Sequence, residues 1–367
     1  GASKAQALNT LGLAVARQGK FEAAAKVFAE AQQLAPNDPD ILGNMANLAV
    51  DQLKFDEAWP LFAAARAAGE SPTLRYHEGM ARLLAGDYAE GWALAEARLE
   101  LPNALRVRPS CPMWKGENLQ GKKLLLVAEQ GYGDTIQLCR YGKCFENMDV
   151  TLIWVVREPL RRLLEANVAG HVVTDTDALP DAHFWSPLMS LPLVLGVLRP
   201  EESPAAPYLR VPDGAAKYNL PNDTRIVGIV WTGSPTHERD RERSIPLEMF
   251  QPLFDKIPVN YVAPALGLDD DNVPMPKPFL PITPALKDFA DTASLLNSLD
   301  VLVTVDTAAA HLAGALGIRT FLLLPFCPDW RWGASGTVSP WYSSVTLLRQ
   351  PRYGDWESVI GDVITQL

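Results

Sequence analysis

A repeat of aromatic and small residues fills the first hundred positions and constrains the fold more than any other feature. Aromatic residues recur at Phe21, Phe55 and Tyr88, at spacings of 34 and 33 residues, and small residues recur in the same register. Repeats of this length are typical of helix pairs that bury a shared core only when they stack on one another. The sequence therefore predicts about three helix pairs over residues 1–104.

The order of residues within each unit resembles the tetratricopeptide repeat (TPR), in which a unit is two antiparallel helices. Gly19 falls at the turn between the first two predicted helices, where a left-handed backbone favours glycine. The resemblance implies a concave face that binds a protein or peptide partner. Asn9, Asn44 and Asn47 are candidate groove residues, because an asparagine amide can hydrogen-bond an extended backbone. These asparagines could equally be helix-terminal or solvent-facing, and the repeats could be a stalk or dimerisation element without a ligand.

After the repeats, the pattern changes to short apolar runs that alternate with helical segments. Residues 105–121 lack periodicity and are predicted to be a linker. Residues 122–215 and 222–345 are each predicted to form buried parallel strands separated by helices, and residues 346–367 a tail helix. The predicted fold class is an all-α TPR superhelix followed by two Rossmann-like α/β lobes in tandem. Ligands of such sheets bind outside the carboxyl ends of the strands, so the residues that follow each strand are candidates for the site.

One candidate cluster follows the first predicted strand. Gly131 and Gly133 allow a tight turn and a close approach of the backbone to a ligand, and Thr135 adds a hydroxyl. Asp134 falls at or near the start of the following helix. There it either caps free backbone N–H groups or faces the cleft as a general base that deprotonates an acceptor hydroxyl. Its position in the sequence leaves both interpretations open.

A second cluster joins a predicted strand to a helix rich in small residues. It holds Asp306, Thr307, Ala308, Ala309 and His311. Small side chains leave the N–H groups and the positive dipole end of a helix uncovered, which suits a diphosphate. Asp306 suits a ribose hydroxyl or a helix cap, and His311 lies one turn into the helix. Plain helix–sheet packing by the alanines is the alternative, but it leaves the aspartate, threonine and histidine among them unexplained.

A third cluster follows the strand predicted at residues 225–231. Thr232, Gly233 and Ser234 offer hydrogen-bond donors for phosphate oxygens. The run that follows, residues 237–244, alternates arginines with acidic residues, so a solvated loop is its ordinary interpretation. Within it, Arg243 is the residue that we expect to reach a phosphate with two N–H groups.

Two tryptophans follow the last predicted strand. Trp330 and Trp332 lie in the segment Pro-Asp-Trp-Arg-Trp. Exposed rings at such a place would stack on a sugar or a base, and a buried cluster at a domain interface is the alternative.

The charge and the cysteine pattern argue against several classes of function. The formal net charge is −10, which disfavours nucleic-acid binding and attraction to anionic membrane surfaces. No apolar run reaches the roughly 20 residues of a membrane span. The four cysteines form no C-x-x-C pair and the five histidines are scattered, so no metal site and no disulfide framework is expected. Reduced cysteines fit a cytoplasmic protein.

The second cluster resembles a segment of the heptosyltransferase-type glycosyltransferases. Residues 305–317 read V-D-T-A-A-A-H-L-A-G-A-L-G, where that family has D-T-G-x-x-H-L-A-A-A-L-G, and residues 131–135 are similar to its G-x-G-D-x loop. The resemblance implies a GT-B fold that binds a nucleotide-sugar donor mainly through the C-terminal lobe. It implies transfer of a hexosyl or heptosyl group without a metal or other cofactor. Asp134 would be the base of an inverting transfer, and the segment from Asp306 to His311 would contact the donor.

Two departures from that family keep other functions open. Ala308 stands where the family has glycine, and Ala263-Pro264-Ala265 stands where related proteins have polar residues. The first interpretation is an enzyme whose repeats recruit a protein or glycan acceptor. The second is a catalytically inactive nucleotide-binding scaffold that acts through its repeats. The third is a sugar-processing enzyme of another kind, such as an epimerase.

Overall fold

The chain folds into two compact units. The computed structural model describes residues 2–102, 105–129, 131–221, 223–264, 279–282 and 285–367. The helical unit comprises Gly1–Ala104, Pro325–Ser335 and Pro351–Gly354. The α/β unit comprises Leu105–Leu324, Gly336–Gln350 and Asp355–Leu367.

Six helices, joined in pairs by short turns, make up most of the helical unit. They are α1 (Ala2–Ala16), α2 (Phe21–Leu34), α3 (Pro39–Asp51), α4 (Phe55–Ala68), α5 (Pro72–Leu84) and α6 (Tyr88–Ala95). Pro39 and Pro72 occupy the first turns of α3 and α5, where proline's missing N–H breaks no helical hydrogen bond. The side chains of Asp38 and Ser71 cap the same helices by accepting hydrogen bonds from backbone N–H groups of the first turn.

The repeating positions form the core of this unit. Phe28 of α2 and Phe62 of α4 stand at equivalent positions and are both fully buried. The turn within each helix pair contains one residue in the left-handed conformation, namely Gly19 (φ 72°), Leu53 (φ 57°) and Gly86 (φ 87°). The structure therefore contains the predicted helix pairs, and their assignment to the tetratricopeptide family stays an interpretation of the sequence.

The segment Pro325–Ser335 belongs to the helical unit, whereas the sequence predicts that it belongs to the second lobe. Trp330 is 4% exposed, and its ring meets that of Trp92 edge to face, with 5.0 Å between the ring centroids. Trp332 is 1% exposed. The prediction of exposed rings that stack on a sugar or base is therefore wrong for both tryptophans, because their side chains are buried.

Two parallel sheets form the core of the α/β unit, as the sequence predicts. The first has the order β3-β2-β1-β4, with β1 (Lys122–Val127), β2 (Val150–Val156), β3 (His171–Thr174) and β4 (Phe184–Pro187). The second has the order β6-β5-β7-β8-β9, with β5 (Ile226–Val230), β6 (Asn260–Val262), β7 (Val301–Val305), β8 (Thr320–Leu324) and β9 (Val345–Arg349). All of the strand pairs are parallel. β9 is not among the predicted strands. It extends the second sheet to Arg349, whereas the sequence predicts that residues 346–367 form the tail.

Helices flank the sheets and end the chain. They are α7 (Tyr132–Leu138), α8 (Arg161–Glu165), α9 (Leu191–Leu195), α10 (Asp240–Arg243), α11 (Gln251–Lys256), α12 (Phe289–Leu296), α13 (Ala308–Leu316) and α14 (Trp356–Gln366). The predicted tail helix is α14, which buries Val359, Ile360 and Val363 in the core of the second sheet. Across the described ranges, no helix has the length and apolar character needed to cross a membrane. Ala265, one of the departures from the family pattern, lies outside the described residues.

Two glycines at positions with room for a side chain give a matched test of backbone conformation. Gly86 has φ +87° and Gly361 lies within α14, and an added Cβ at either would meet nothing within 4 Å. We expect Gly86→Ala to lower the free energy of unfolding by about 1–2 kcal/mol, because alanine is strained in the left-handed region. We expect Gly361→Ala to raise it by about 0.5–1 kcal/mol, because alanine favours a helix. Urea unfolding measures both changes, and changes of the same sign would contradict the assigned turn.

Candidate functional site

The ends of two neighbouring strands, β5 and β7, bring the second and third predicted clusters together. The Arg243 guanidinium donates from Nη1 to the carbonyl oxygen of Asp306 at 2.8 Å and from Nε to Asp240 Oδ1 at 3.2 Å. The backbone N–H of Gly233 donates to Ser244 Oγ at 3.1 Å. A Cβ on Gly233 would lie 2.5 Å from Arg243 Nη2, so a side chain at this position would displace the guanidinium. Arg243 thus bridges the loop after β5 and the residue that follows β7.

The first turn of α13 begins beside this arginine. Thr307 holds the N-cap position of α13, but its hydroxyl lies 3.3 Å from Thr304 Oγ1 and makes no capping hydrogen bond. Ala308 is half-buried, Ala309 is buried, and neither has a polar side chain to cover the helix start. The first N–H groups of a helix have no carbonyl four residues earlier to bond within the helix, and the helix dipole adds positive potential there. In α13, the Ala310 N–H bonds back to the Thr307 carbonyl oxygen at 3.1 Å, which leaves Ala308 and Ala309 as the candidate donors. This geometry can accept an anion.

The loop of the first lobe approaches the same helix. A Cβ on Gly133 would lie 2.7 Å from His311 Cδ2 and 3.4 Å from the Ala308 Cα, so only glycine allows this approach. Asp134, in the first turn of α7, is half-buried and accepts a hydrogen bond from the Gly131 N–H at 2.5 Å. Thr135 is 1% exposed. The first and second clusters therefore meet within the α/β unit, with the threonine turned into the core.

An ion-pair cluster connects the same two lobes at α8 and α12. Arg162 Nη1 donates to Asp288 Oδ2 at 2.8 Å and to Asp291 Oδ1 at 3.3 Å. Asp291 is 2% exposed and also accepts from the Ala216 N–H at 2.9 Å. Since Asp288 caps α12 as well, these carboxylates fix both the helix start and the position of the first lobe beside it.

His311 lies at 4% exposure, and its Nδ1 is 3.0 Å from the Tyr342 hydroxyl oxygen. That hydroxyl is 3.5 Å from the hydroxyl of Tyr208, which accepts from Arg140 Nη2 at 3.2 Å. Burial raises the pKa of Tyr342 and raises that of Tyr208 well above its ordinary value, so both phenols are neutral. Tyr342, Tyr208 and Arg140 are missing from the predicted site residues, since they come from distant parts of the chain.

Arg157 is another candidate site residue, because it follows β2 directly and so lies at the carboxyl end of the first sheet. Its guanidinium carbon lies 3.8 Å from the ring centroid of Tyr132, one residue after Gly131. Arg157 is missing from the predicted site residues, although the rule that found the other clusters, polar residues directly after a strand, would have identified it.

Thr232 lies beside Gly233, since its Oγ1 is 3.3 Å from the same Ser244 Oγ that accepts from the Gly233 N–H. Ser234 lies apart from this contact, with its Oγ 2.9 Å from Thr236 Oγ1 in an exposed loop. In the helical unit, Asn44 Nδ2 donates to Asn9 Oδ1 at 2.9 Å, which joins α3 to α1. The Nδ2 of Asn47 lies 3.2 Å from Nδ1 of His77 on α5. Asn9 is buried at 3% exposure, so this residue is a bridge between helices rather than an open contact.

Within the described part of the chain, no group of three or more histidine, cysteine, aspartate or glutamate side chains is arranged to hold a metal ion.

Comparison with known proteins gives distant similarities. No protein-family model matches the chain. Protein FlbA of Caulobacter vibrioides is 26% identical over 98% of this chain, which spans only 66% of that protein's length. Among solved structures, a glycosyl transferase family 9 protein from Veillonella parvula is 11% identical, with a TM-score of 0.43 over 67% of this chain and 92% of its own. The E. coli ADP-heptose LPS heptosyltransferase II is 12% identical, with a TM-score of 0.44 over 66% of this chain and 99% of its own. Identities this low do not by themselves place the chain in a family.

Proposed function

We propose that the α/β unit is a glycosyltransferase that takes a nucleotide-sugar donor at the carboxyl ends of β5 and β7. The observation that carries this proposal is the hydrogen bond from Arg243 Nη1 to the Asp306 carbonyl oxygen, 2.8 Å long. This hydrogen bond holds the Arg243 guanidinium beside the first turn of α13. A guanidinium and the free N–H groups of a helix start are together the usual partners of a diphosphate.

The same arrangement suits the chemistry of transfer. Negative charge develops on the diphosphate as the bond to the sugar breaks, and donors already held in place stabilise that charge. Arg243 uses two of its five N–H groups on Asp240 and Asp306, so further N–H groups are available to phosphate oxygens. Asp134 would remove the proton from the acceptor hydroxyl, and the transfer would need no metal or other cofactor.

We assign recruitment of a protein or glycan acceptor to the helical unit. The contact from Asn44 to Asn9 and the contact between Asn47 and His77 connect the first helices of successive pairs. They form a line of amide and imidazole groups from α1 through α3 to α5. Such groups can hydrogen-bond the backbone of an extended peptide. Asn9, being buried, would position Asn44 instead of contacting the peptide itself.

A second candidate function is nucleotide binding without turnover, with the helical unit as a scaffold. The hydrogen bond from the Gly131 N–H to Asp134 Oδ2, at 2.5 Å, favours this alternative. A carboxylate occupied in holding a helix start has an evident structural role that requires no reaction.

The test is a thermal-shift screen of the full chain against UDP, ADP, GDP, CMP and their sugars. At 100 times its dissociation constant, a ligand adds about 2.7 kcal/mol to the free energy of unfolding, which raises the melting temperature. We expect a shift with one nucleotide and its sugar. Release of that nucleotide from its sugar in the presence of an acceptor supports the transferase, and binding without release supports the scaffold. No shift with any of these ligands would contradict both.

A further inference from the structure

We propose that Tyr132 is a positioning residue that fixes the direction of the Asp134 side chain only while the second lobe packs against the first. Its ring contacts Arg157, a cation of the first lobe, and Phe289, an aromatic residue of the second lobe. The role of Asp134 as a base rests on the proposed function. The dependence of its helical turn on the second lobe does not.

The start of α7 has few interactions of its own to hold it. The helix has seven residues, and its N-cap residue is Gly131, which has no side chain that could accept a hydrogen bond. Asp134 supplies the cap instead, by accepting from the Gly131 N–H at 2.5 Å. Helices this short are not stable by themselves and depend on packing against the rest of the protein. The direction of Asp134 therefore depends on what packs against the first turn.

Two contacts with the second lobe supply that packing. Gly133 approaches α13 so closely that an added Cβ would lie 2.7 Å from His311 Cδ2. Tyr132 is half-buried, and its ring centroid lies 5.0 Å from that of Phe289 in the first turn of α12. Phe289 is itself only 6% exposed, so the ring of Tyr132 meets a part of the second lobe that is fixed in its core.

Arg157 holds the same ring from the first lobe. Its guanidinium carbon lies 3.8 Å from the ring centroid of Tyr132, a distance at which a cation is attracted to the electrons of the ring. The nearby Arg161 and Arg162 pair with carboxylates, whereas Arg157 contacts this ring. β2, which Arg157 follows directly, is the neighbour of β1 in the sheet, so this arginine and the start of α7 lie at the same edge. Tyr132 thus has one contact in each lobe.

The geometry of a helix connects the ring to the carboxylate. Residues two positions apart lie about 200° apart around the helix axis, so Tyr132 and Asp134 point to different sides of α7. A ring held on one side fixes the rotation of the turn, and with it the direction of Asp134 on the other side. A displacement of about 1 Å at a reacting group can lower a rate about 100-fold. We therefore expect Tyr132 to affect the transfer rate and not the affinity for the donor, which we place in the other lobe.

Hydrogen–deuterium exchange of the full chain, measured by mass spectrometry on peptides from residues 131–138, tests the dependence on the second lobe. We expect faster exchange there in Tyr132→Ala and in Phe289→Leu, which removes the ring and keeps an apolar side chain. Tyr132→Phe keeps both ring contacts and should exchange as the wild type does. Phe254→Leu is the matched control, because that ring meets Tyr261 at 4.9 Å in the core of the same lobe. Unchanged exchange in Tyr132→Ala or in Phe289→Leu would overturn the proposal.

Transfer kinetics of the same variants separate positioning from a purely structural role. We expect Tyr132→Ala to lower the transfer rate at saturating donor by about 10- to 100-fold and to leave the dissociation constant of the nucleotide unchanged. Tyr132→Phe should restore the rate. Weaker nucleotide binding with an unchanged transfer rate in Tyr132→Ala would overturn the positioning role. A wild type that transfers no sugar would overturn the proposed function, and the exchange measurement would still decide whether the second lobe holds the start of α7.

Discussion

Asp134→Asn is expected to lower the rate of sugar transfer by a factor of about 10²–10⁴, the usual contribution of a general base, with little change in nucleotide affinity. Asparagine keeps an oxygen that can accept the hydrogen bond from the Gly131 N–H, so the start of α7 is expected to remain capped. It has no basic group to receive the proton of an acceptor hydroxyl. The substitution therefore removes the proposed chemistry and keeps the structural contact.

The measurement is the transfer rate with saturating donor, alongside the melting temperature. Asp177→Asn is the matched control, because that carboxylate accepts from the Thr174 N–H at 2.8 Å in the same lobe. We expect it to leave transfer unchanged. If Asp134→Asn transfers sugar at the wild-type rate, the base is another group and Asp134 only caps α7.

Trp330→Ala is expected to destabilise the helical unit by about 3–5 kcal/mol, the typical loss when a buried aromatic side chain is truncated. The indole packs edge to face on Trp92 and is 4% exposed, and the Arg331 guanidinium carbon lies 4.4 Å from its ring centroid. The substitution would leave a cavity at the last helix pair. The helical unit therefore depends on a segment that follows β8, far from the repeats in the sequence.

Urea unfolding of the full chain, followed by tryptophan fluorescence and by circular dichroism, measures this loss. Leu11→Ala serves as the control, because that side chain is 49% exposed and we expect a change within about 0.5 kcal/mol. Trp330→Phe keeps part of the ring contact and should fall between the two. A Trp330→Ala protein as stable as the wild type would show that the first hundred residues need no support from residues 325–335.

The sequence predicts the features that depend on local spacing. The period of the repeats places Phe28 and Phe62 in the core, because residues at equivalent positions of stacked helix pairs face the same neighbours. The positions directly after β5 and β7 come together because these neighbouring parallel strands end at the same edge of one sheet, which is where Arg243 meets Asp306. Gly133 follows β1 of the other sheet, so its approach to α13 depends on the packing of the two lobes and not on the order of strands within a sheet.

Features that depend on contacts between distant residues do not follow from spacing. The sequence around Trp330 is typical of an exposed ring that stacks on a ligand, and only the fold reveals that Trp330 packs against Trp92. Arg140 and Tyr342 are 202 positions apart, and no motif connects them. Strand β9 has the length of β5, β7 and β8, but its Thr346 and Arg349 are only half-buried and interrupt the apolar pattern that identifies those strands.

The most direct test of the proposed site is the dissociation constant of the nucleoside diphosphate for the wild type, Arg243→Met and Arg241→Met. Both arginines belong to α10, so the two substitutions remove the same charge from the same helix. They differ in position, because Arg243 bridges to the Asp306 carbonyl oxygen and Arg241 is exposed. The proposed site predicts affinity weaker by about 10- to 100-fold in Arg243→Met, the value of a charged hydrogen bond, and little change in Arg241→Met. Equal affinities in all three proteins would contradict a diphosphate site at the ends of β5 and β7.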